Sequence, residues 1–71
     1  MDNMIRIGEV IKELRTERGL RQTDLAKEIG VAGNTITQYE NNTIRPSYEV
    51  LVDIANFFNV STDYLLGLKD F

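Results

Sequence analysis

Gly33, Asn34, Thr37, Gln38 and Asn41 fall on one stripe when this segment is wound at 3.6 residues per turn, opposite a stripe of Ile36, Tyr39 and Glu40. The first stripe carries no charge, and three of its members are carboxamides. A carboxamide offers one acceptor and two donors, so such a face can exchange hydrogen bonds with something neutral and polar, such as the edges of nucleic-acid bases. The plainer alternative is a polar surface helix, although solvated faces more often carry Lys and Glu. Other chemistry finds little material. Glu9, Glu13 and Glu17 recur at i, i+4, a spacing that could pair acids for proton transfer or hold a metal, but they interleave with Lys12, Arg15 and Arg18 as solvated helix charge does. The chain has no Cys, no His and only Ser47 and Ser61 as serines, so neither a zinc-thiolate site nor a hydrolytic triad can be assembled. A Gly-rich phosphate loop is also missing. No catalytic residue, metal or cofactor is expected.

The amide stripe must be carried by a fold built from short elements. Gly, Pro and Asn/Ser punctuation divides the 71 residues into five helical segments with tight connections and no useful strand-like alternation. The first is expected from about Ile5 to Arg18, with Ile7, Val10, Ile11 and Leu14 at helical spacing and Gly19 as its stop. A second covers about Gln22 to Ile29 and turns Leu25, Ala26 and Ile29 inward before Gly30. The third, from Gly33 to Glu40, carries the stripe outward and Ile36 and Tyr39 inward, with Asn41-Asn42 able to close it in the left-handed region. Pro46-Ser47 opens the fourth, where Leu51, Ile54, Ala55 and Phe58 recur and Asn59 ends the run. Ser61 caps a short fifth helix holding Leu65 and Leu66 before Gly67. Helices this short are marginal alone, so their apolar stripes must meet in one shared core. The expectation is an all-α, compact five-helix bundle forming a single domain over residues 1–71, with its core at about 5–67.

Within Gln22 to Asn41 the residues meet the demands of two helices crossing over a short turn. Ala26 is small where backbones approach, Gly30 can supply a positive φ, and Val31 plugs the gap between the helices. The chain here resembles the lambda-repressor-like (Xre/Cro-type) helix-turn-helix family, and the resemblance extends over nearly its whole length. It is carried by Leu14-Arg15 and Gly19-Leu20, by the run Gln22-Thr23-Asp24-Leu25-Ala26, and by Gly30-Val31 and Tyr39-Glu40. Pro46-Ser47, Leu51, Ala55 and Val60-Ser61-Thr62-Asp63-Tyr64-Leu65-Leu66 continue it. The resemblance implies that helices 2 and 3 form the helix-turn-helix, that helix 3 lies in the major groove of double-stranded DNA, and that dimers bind two half-sites about one helical turn apart. It further implies that Gln22 contacts a phosphate, that Gly33, Asn34, Thr37 and Gln38 occupy base-reading positions, and that Arg15 and Glu40 form a largely buried salt bridge. Two residues depart from the pattern. Ala32 stands where a Ser or Thr N-cap is usual, which costs roughly 1 kcal/mol, and Gly33 has no side chain with which to read.

A net charge of −3 argues against a nucleic-acid partner unless the cations are well placed. Arg21, Gln22, Asn41, Asn42 and Arg45 are expected at the rims of the third helix, where phosphates pass, with loop N–H groups adding to their grip. Glu9, Glu13, Asp53 and Asp70 are expected to face away, limiting non-specific binding. Phe57, Tyr64, Leu68 and Phe71 exceed what the last two helices can bury, which suggests a homodimer joined through them. The longest apolar stretches fall far short of the roughly 20 residues that span a bilayer, the N-terminus has no secretory core, and the lack of Cys fits a reducing cytoplasm. A sequence-specific transcriptional regulator, in particular a repressor, is the expected function. Its rivals are an antitoxin or restriction-modification controller of the same fold, and a protein-interaction module that has lost DNA binding.

Overall fold

The computed structural model describes residues 6–69 as five α-helices in the order α1 (Ile7–Glu17), α2 (Gln22–Ile29), α3 (Gly33–Glu40), α4 (Tyr48–Phe58) and α5 (Thr62–Leu65). No strand occurs among these residues, and the all-α expectation holds. Ile5, Asp70 and Phe71 lie outside the described residues.

Each helix ends the same way. The residue at the turn takes positive φ at Gly19, Gly30, Asn42, Asn59 and Gly67. The N–H that follows it reaches five residues back: Leu20 to Arg15, Val31 to Ala26, Thr43 to Gln38, Val60 to Ala55 and Leu68 to Asp63. This closure satisfies carbonyls that a helix end leaves open, and it turns the chain sharply enough for the next helix to pack back. Helix starts are less uniform. The Ser47 and Ser61 hydroxyls accept from the N–H groups of Val50 and Tyr64, whereas Ala32 at the head of α3 offers no side-chain cap.

The inward stripes meet as expected. Ile7, Ile11, Leu25, Ala26, Ile36, Tyr39, Ile54, Ala55, Phe58 and Leu65 form one buried cluster, with Leu14, Ile29, Val31 and Leu51 packed against it. α3 lies against both α1 and α2, while α4 rests on α2 and α5. The approach of α1 to α3 depends on Gly8. A Cβ there would sit 2.3 Å from the Tyr39 carbonyl oxygen and 2.6 Å from that of Glu40.

The surplus apolar residues are distributed differently from expectation. Phe57 packs against the core and edge-on to Phe58, and the Arg18 guanidinium covers both rings at 5.5 and 5.1 Å. Arg18 also donates to the Phe57 and Phe58 carbonyls at the end of α4, at 3.1 Å each. Tyr64 is half-buried, and Leu68 alone of the three described residues is exposed. Tyr48 and Val52, one turn apart on α4, are exposed instead, as is Ile44 in the preceding loop.

Candidate nucleic-acid interface

The turn between α2 and α3 positions the candidate reading face. Gly30 adopts φ 76° and ψ 33°, and the Val31 N–H closes onto the Ala26 carbonyl at 3.0 Å. Val31 then tucks against the core, and α3 begins after Ala32. Because Ile36, Tyr39 and Glu40 are buried, the opposite stripe must point outward. Gly33, Asn34 and Asn41 are exposed and Thr37 and Gln38 half-exposed, so the five share one surface. Asn34 and Gln38 have no hydrogen-bonded side-chain partner among the described residues, which leaves both amides open to a ligand. At Gly33 an added Cβ would meet only the Thr23 methyl, at 3.6 Å.

Behind this face lies a polar chain. Arg15 donates from Nε to Glu40 Oε2 at 2.6 Å and from Nη2 to Oε1 at 3.0 Å, and its Nη1 reaches the Leu20 carbonyl at 2.7 Å. Both side chains are buried, and the carboxylate raises the affinity of the guanidinium for its proton, against the opposing effect of burial. The pair thus bolts the end of α3 to α1. Glu40 Oε1 also accepts from Gln22 Nε2 at 3.0 Å, and Gln22 Oε1 accepts from the Thr37 hydroxyl at 2.7 Å. The resemblance anticipated the ion pair. It did not anticipate that Gln22 and Thr37, expected to face DNA independently, bind each other. No local pattern signals this, since 15 residues separate them.

The rim residues divide into held and free groups. Arg21 pairs with Asp24 at 3.1 Å, and Asp24 accepts the Arg21 N–H at 2.8 Å, closing the start of α2. These contacts hold the Asp24 carboxyl below its ordinary value, with the Arg21 guanidinium the largest cause. The Arg21 side chain is 82% exposed, so this pair is weak and a phosphate can compete for it. Arg45 is exposed and has no side-chain partner among the described residues. Asn41 is exposed at the end of α3. Asn42 plays a structural part as well: its Oδ1 accepts the Gly8 N–H at 3.0 Å, tying the start of α1 to the loop after α3. Only its amide N–H groups remain for a ligand. The expected backbone grip in this loop needs correction. The N–H groups of Asn41, Asn42, Thr43 and Ile44 all bond back to carbonyls of α3, because closing that helix consumes them. Side chains alone are left to hold a phosphate along these four residues.

Among the described residues, no three His, Cys, Asp or Glu side chains gather at metal-binding distance, and no helix is long and apolar enough to cross a membrane.

Comparison with known proteins agrees with this geometry. The family described as "Helix-turn-helix" matches residues 11–65. The HTH-type transcriptional regulator ImmR of Bacillus subtilis (strain 168) is 36% identical over 61 residues, which are 86% of this chain and 48% of that protein. Antitoxin PezA of Streptococcus pneumoniae serotype 4 is 38% identical over 61 residues, again 86% of this chain but 39% of the relative. The chain therefore spans about half or less of the length of these curated relatives. Among solved structures, the P22 c2 repressor in complex with synthetic operator 9T superposes with a TM-score of 0.84 at 33% identity, covering 89% of this chain and 96% of that one. With five helices in place, an outward amide stripe on the third and a family match over most of its length, the chain belongs to the helix-turn-helix family.

Proposed function

We propose that the chain is a single DNA-binding domain of a transcriptional regulator, a repressor, which lays α3 in the major groove of a roughly palindromic operator in the cytoplasm. One observation carries the reading: Asn34, Thr37 and Gln38 stand outward on a helix that the buried Arg15–Glu40 pair fixes from behind. Asn34 and Gln38 meet base edges; Gly33 lets the backbone come close. Arg21 and Arg45 hold flanking phosphates, joined by Gln22, Asn41 and the free amide of Asn42. The likeness to the P22 c2 repressor in complex with a synthetic operator supports operator binding, and the major groove is where helix-turn-helix domains lay their second helix. No residue is assigned a catalytic role.

The protein acts as a homodimer, joined through the C-terminal helices, where Leu68 and the Tyr48–Val52 face of α4 are exposed. Selection of bound duplexes from a random pool tests the whole reading. A consensus with two-fold symmetry is expected, and failure to enrich any sequence overturns it. Sedimentation showing a monomer both free and on the selected operator would overturn the dimer alone. A second reading, an antitoxin of the same fold, is favoured by the match to Antitoxin PezA; neutralisation of a co-expressed toxin by the chain would separate it from a free-standing repressor.

A further inference from the structure

The order of hydrogen bonds behind α3 fixes more than position. Arg15 grips both oxygens of Glu40, and a carboxylate held by a guanidinium only accepts hydrogen bonds. Gln22 must therefore turn its NH2 toward Glu40, which leaves its carbonyl oxygen facing Thr37. The Thr37 hydroxyl has a single proton, and it is spent on that oxygen. Toward the outside the hydroxyl keeps only lone pairs. A threonine is normally ambiguous in a groove because its hydroxyl rotates to donate or accept. Here the ambiguity is removed by an ion pair two residues away along the chain of bonds.

We propose that Gln22 is a positioning residue that sets the polarity of Thr37, so that Thr37 reads DNA only as an acceptor and selects a base with an exocyclic amine, adenine through N6 or cytosine through N4. This inference rests on the proposed placement of α3 in the major groove. It narrows that reading, since Thr37 then discriminates against the O6 of guanine and the O4 of thymine. It also gives Gln22 two tasks: one amide proton orients the relay and the other is available to a phosphate.

The test compares wild type, Thr37→Val, Thr37→Ser and Gln22→Met by selection from a random duplex pool at fixed salt, with folding checked by thermal melting. The position read by Thr37 is the one whose preference Thr37→Val alters. Wild type should favour adenine or cytosine there by roughly fivefold over guanine or thymine, as one neutral hydrogen bond allows. Thr37→Ser should keep that preference. Gln22→Met should bring it close to unity, while preferences at the positions read by Asn34 and Gln38 stay unchanged even as overall affinity falls. A purely structural or phosphate-binding Gln22 would lower affinity without moving that ratio. As a second measurement, replacing the selected base with its analogue lacking the amine should weaken wild type by roughly fivefold and Thr37→Val by less than twofold. If Gln22→Met does not fold, this comparison decides alone. Preference for guanine or thymine at that position, an unchanged ratio in folded Gln22→Met, or no position altered by Thr37→Val overturns the proposal and leaves DNA binding standing. Failure of wild type to select any duplex overturns both.

Discussion

A side chain at position 8 would collide with backbone, not with a flexible neighbour, because the Tyr39 and Glu40 carbonyl oxygens stand 2.3 and 2.6 Å from its Cβ position. Glycine inside a helix ordinarily costs about 1 kcal/mol relative to alanine, so Gly8→Ala would be a stabilising change by propensity alone. The contact reverses the sign. Making room requires α1 to lift from α3, an overpacking cost of about 1–3 kcal/mol, and the same shift lengthens the Gly8 N–H bond to Asn42. Gly8→Ala should therefore lower the urea midpoint, and a midpoint equal to or above wild type would contradict the close approach. Neither role was legible in the sequence. Gly8 sits inside the expected first helix, between Ile7 and Glu9, with no turn signal beside it, and Asn42 carries a helix-closing signal that hides its reach to a helix 34 residues away. Asn34 and Gln38 were legible because their exposure follows from helical periodicity and needs no knowledge of what lies behind.

At the scale of the element, α3 is the least self-sufficient of the helices that matter. Eight residues span about 12 Å, too few to be stable alone, and Ala32 provides no cap. Its hold on the fold comes from Ile36, Tyr39 and the Arg15–Glu40 pair. Two opposite outcomes follow. Ala32→Ser should add about 1 kcal/mol by bonding a free N–H of the first turn, raising the midpoint of thermal unfolding by about 4–8 °C in a domain of this size. Glu40→Ala strands the Arg15 charge in the interior and should cost about 3–5 kcal/mol; the double change Arg15→Met with Glu40→Leu should recover most of that loss, yet its specificity at the position read by Thr37 should relax. Calorimetry on the four proteins checks the set. A double variant no more stable than Glu40→Ala would show that geometry, and not a stranded charge, sets the cost. Helix limits came close to the sequence reading because Gly19, Gly30, Asn59, Ser47 and Ser61 mark them directly. α1 ends at Glu17 where Arg18 was expected, since the Leu20 N–H reaches back to the Arg15 carbonyl and leaves Arg18 as the closing residue.

For the whole molecule, the surface left for partners depends on contacts that no short window of sequence contains. Phe57 was expected to be surplus, but Arg18 reaches it from 39 residues earlier and covers it, while Tyr48 and Val52 are exposed because α4 turns a different face inward. Charge behaves similarly. The net value of −3 describes the chain, whereas on the proposed reading DNA would meet chiefly the cations beside α3. Arg18 is committed to the end of α4, and Arg6 to Glu9. Among the arginines Arg15 is held by Glu40, which leaves Arg21, loosely held by Asp24, and Arg45 in the loop after α3. Counterion release counts cations that neutralise phosphates and not neutral donors such as Gln22 and Asn41, so two cations per protomer should give a slope of log K against log salt of about −1.8 per half-site. Arg45→Ala should flatten it by about 0.9 and weaken matched and scrambled duplexes by the same factor, because a phosphate contact carries no sequence information. Arg21→Ala should cost less affinity at low salt than Arg45→Ala, since releasing Arg21 from Asp24 offsets part of what its phosphate contact gains. Titrating wild type and both variants against salt on the two duplexes measures these effects together. An Arg45→Ala slope equal to wild type would remove Arg45 from the interface, and a loss confined to the matched duplex would move it from the phosphates to the bases.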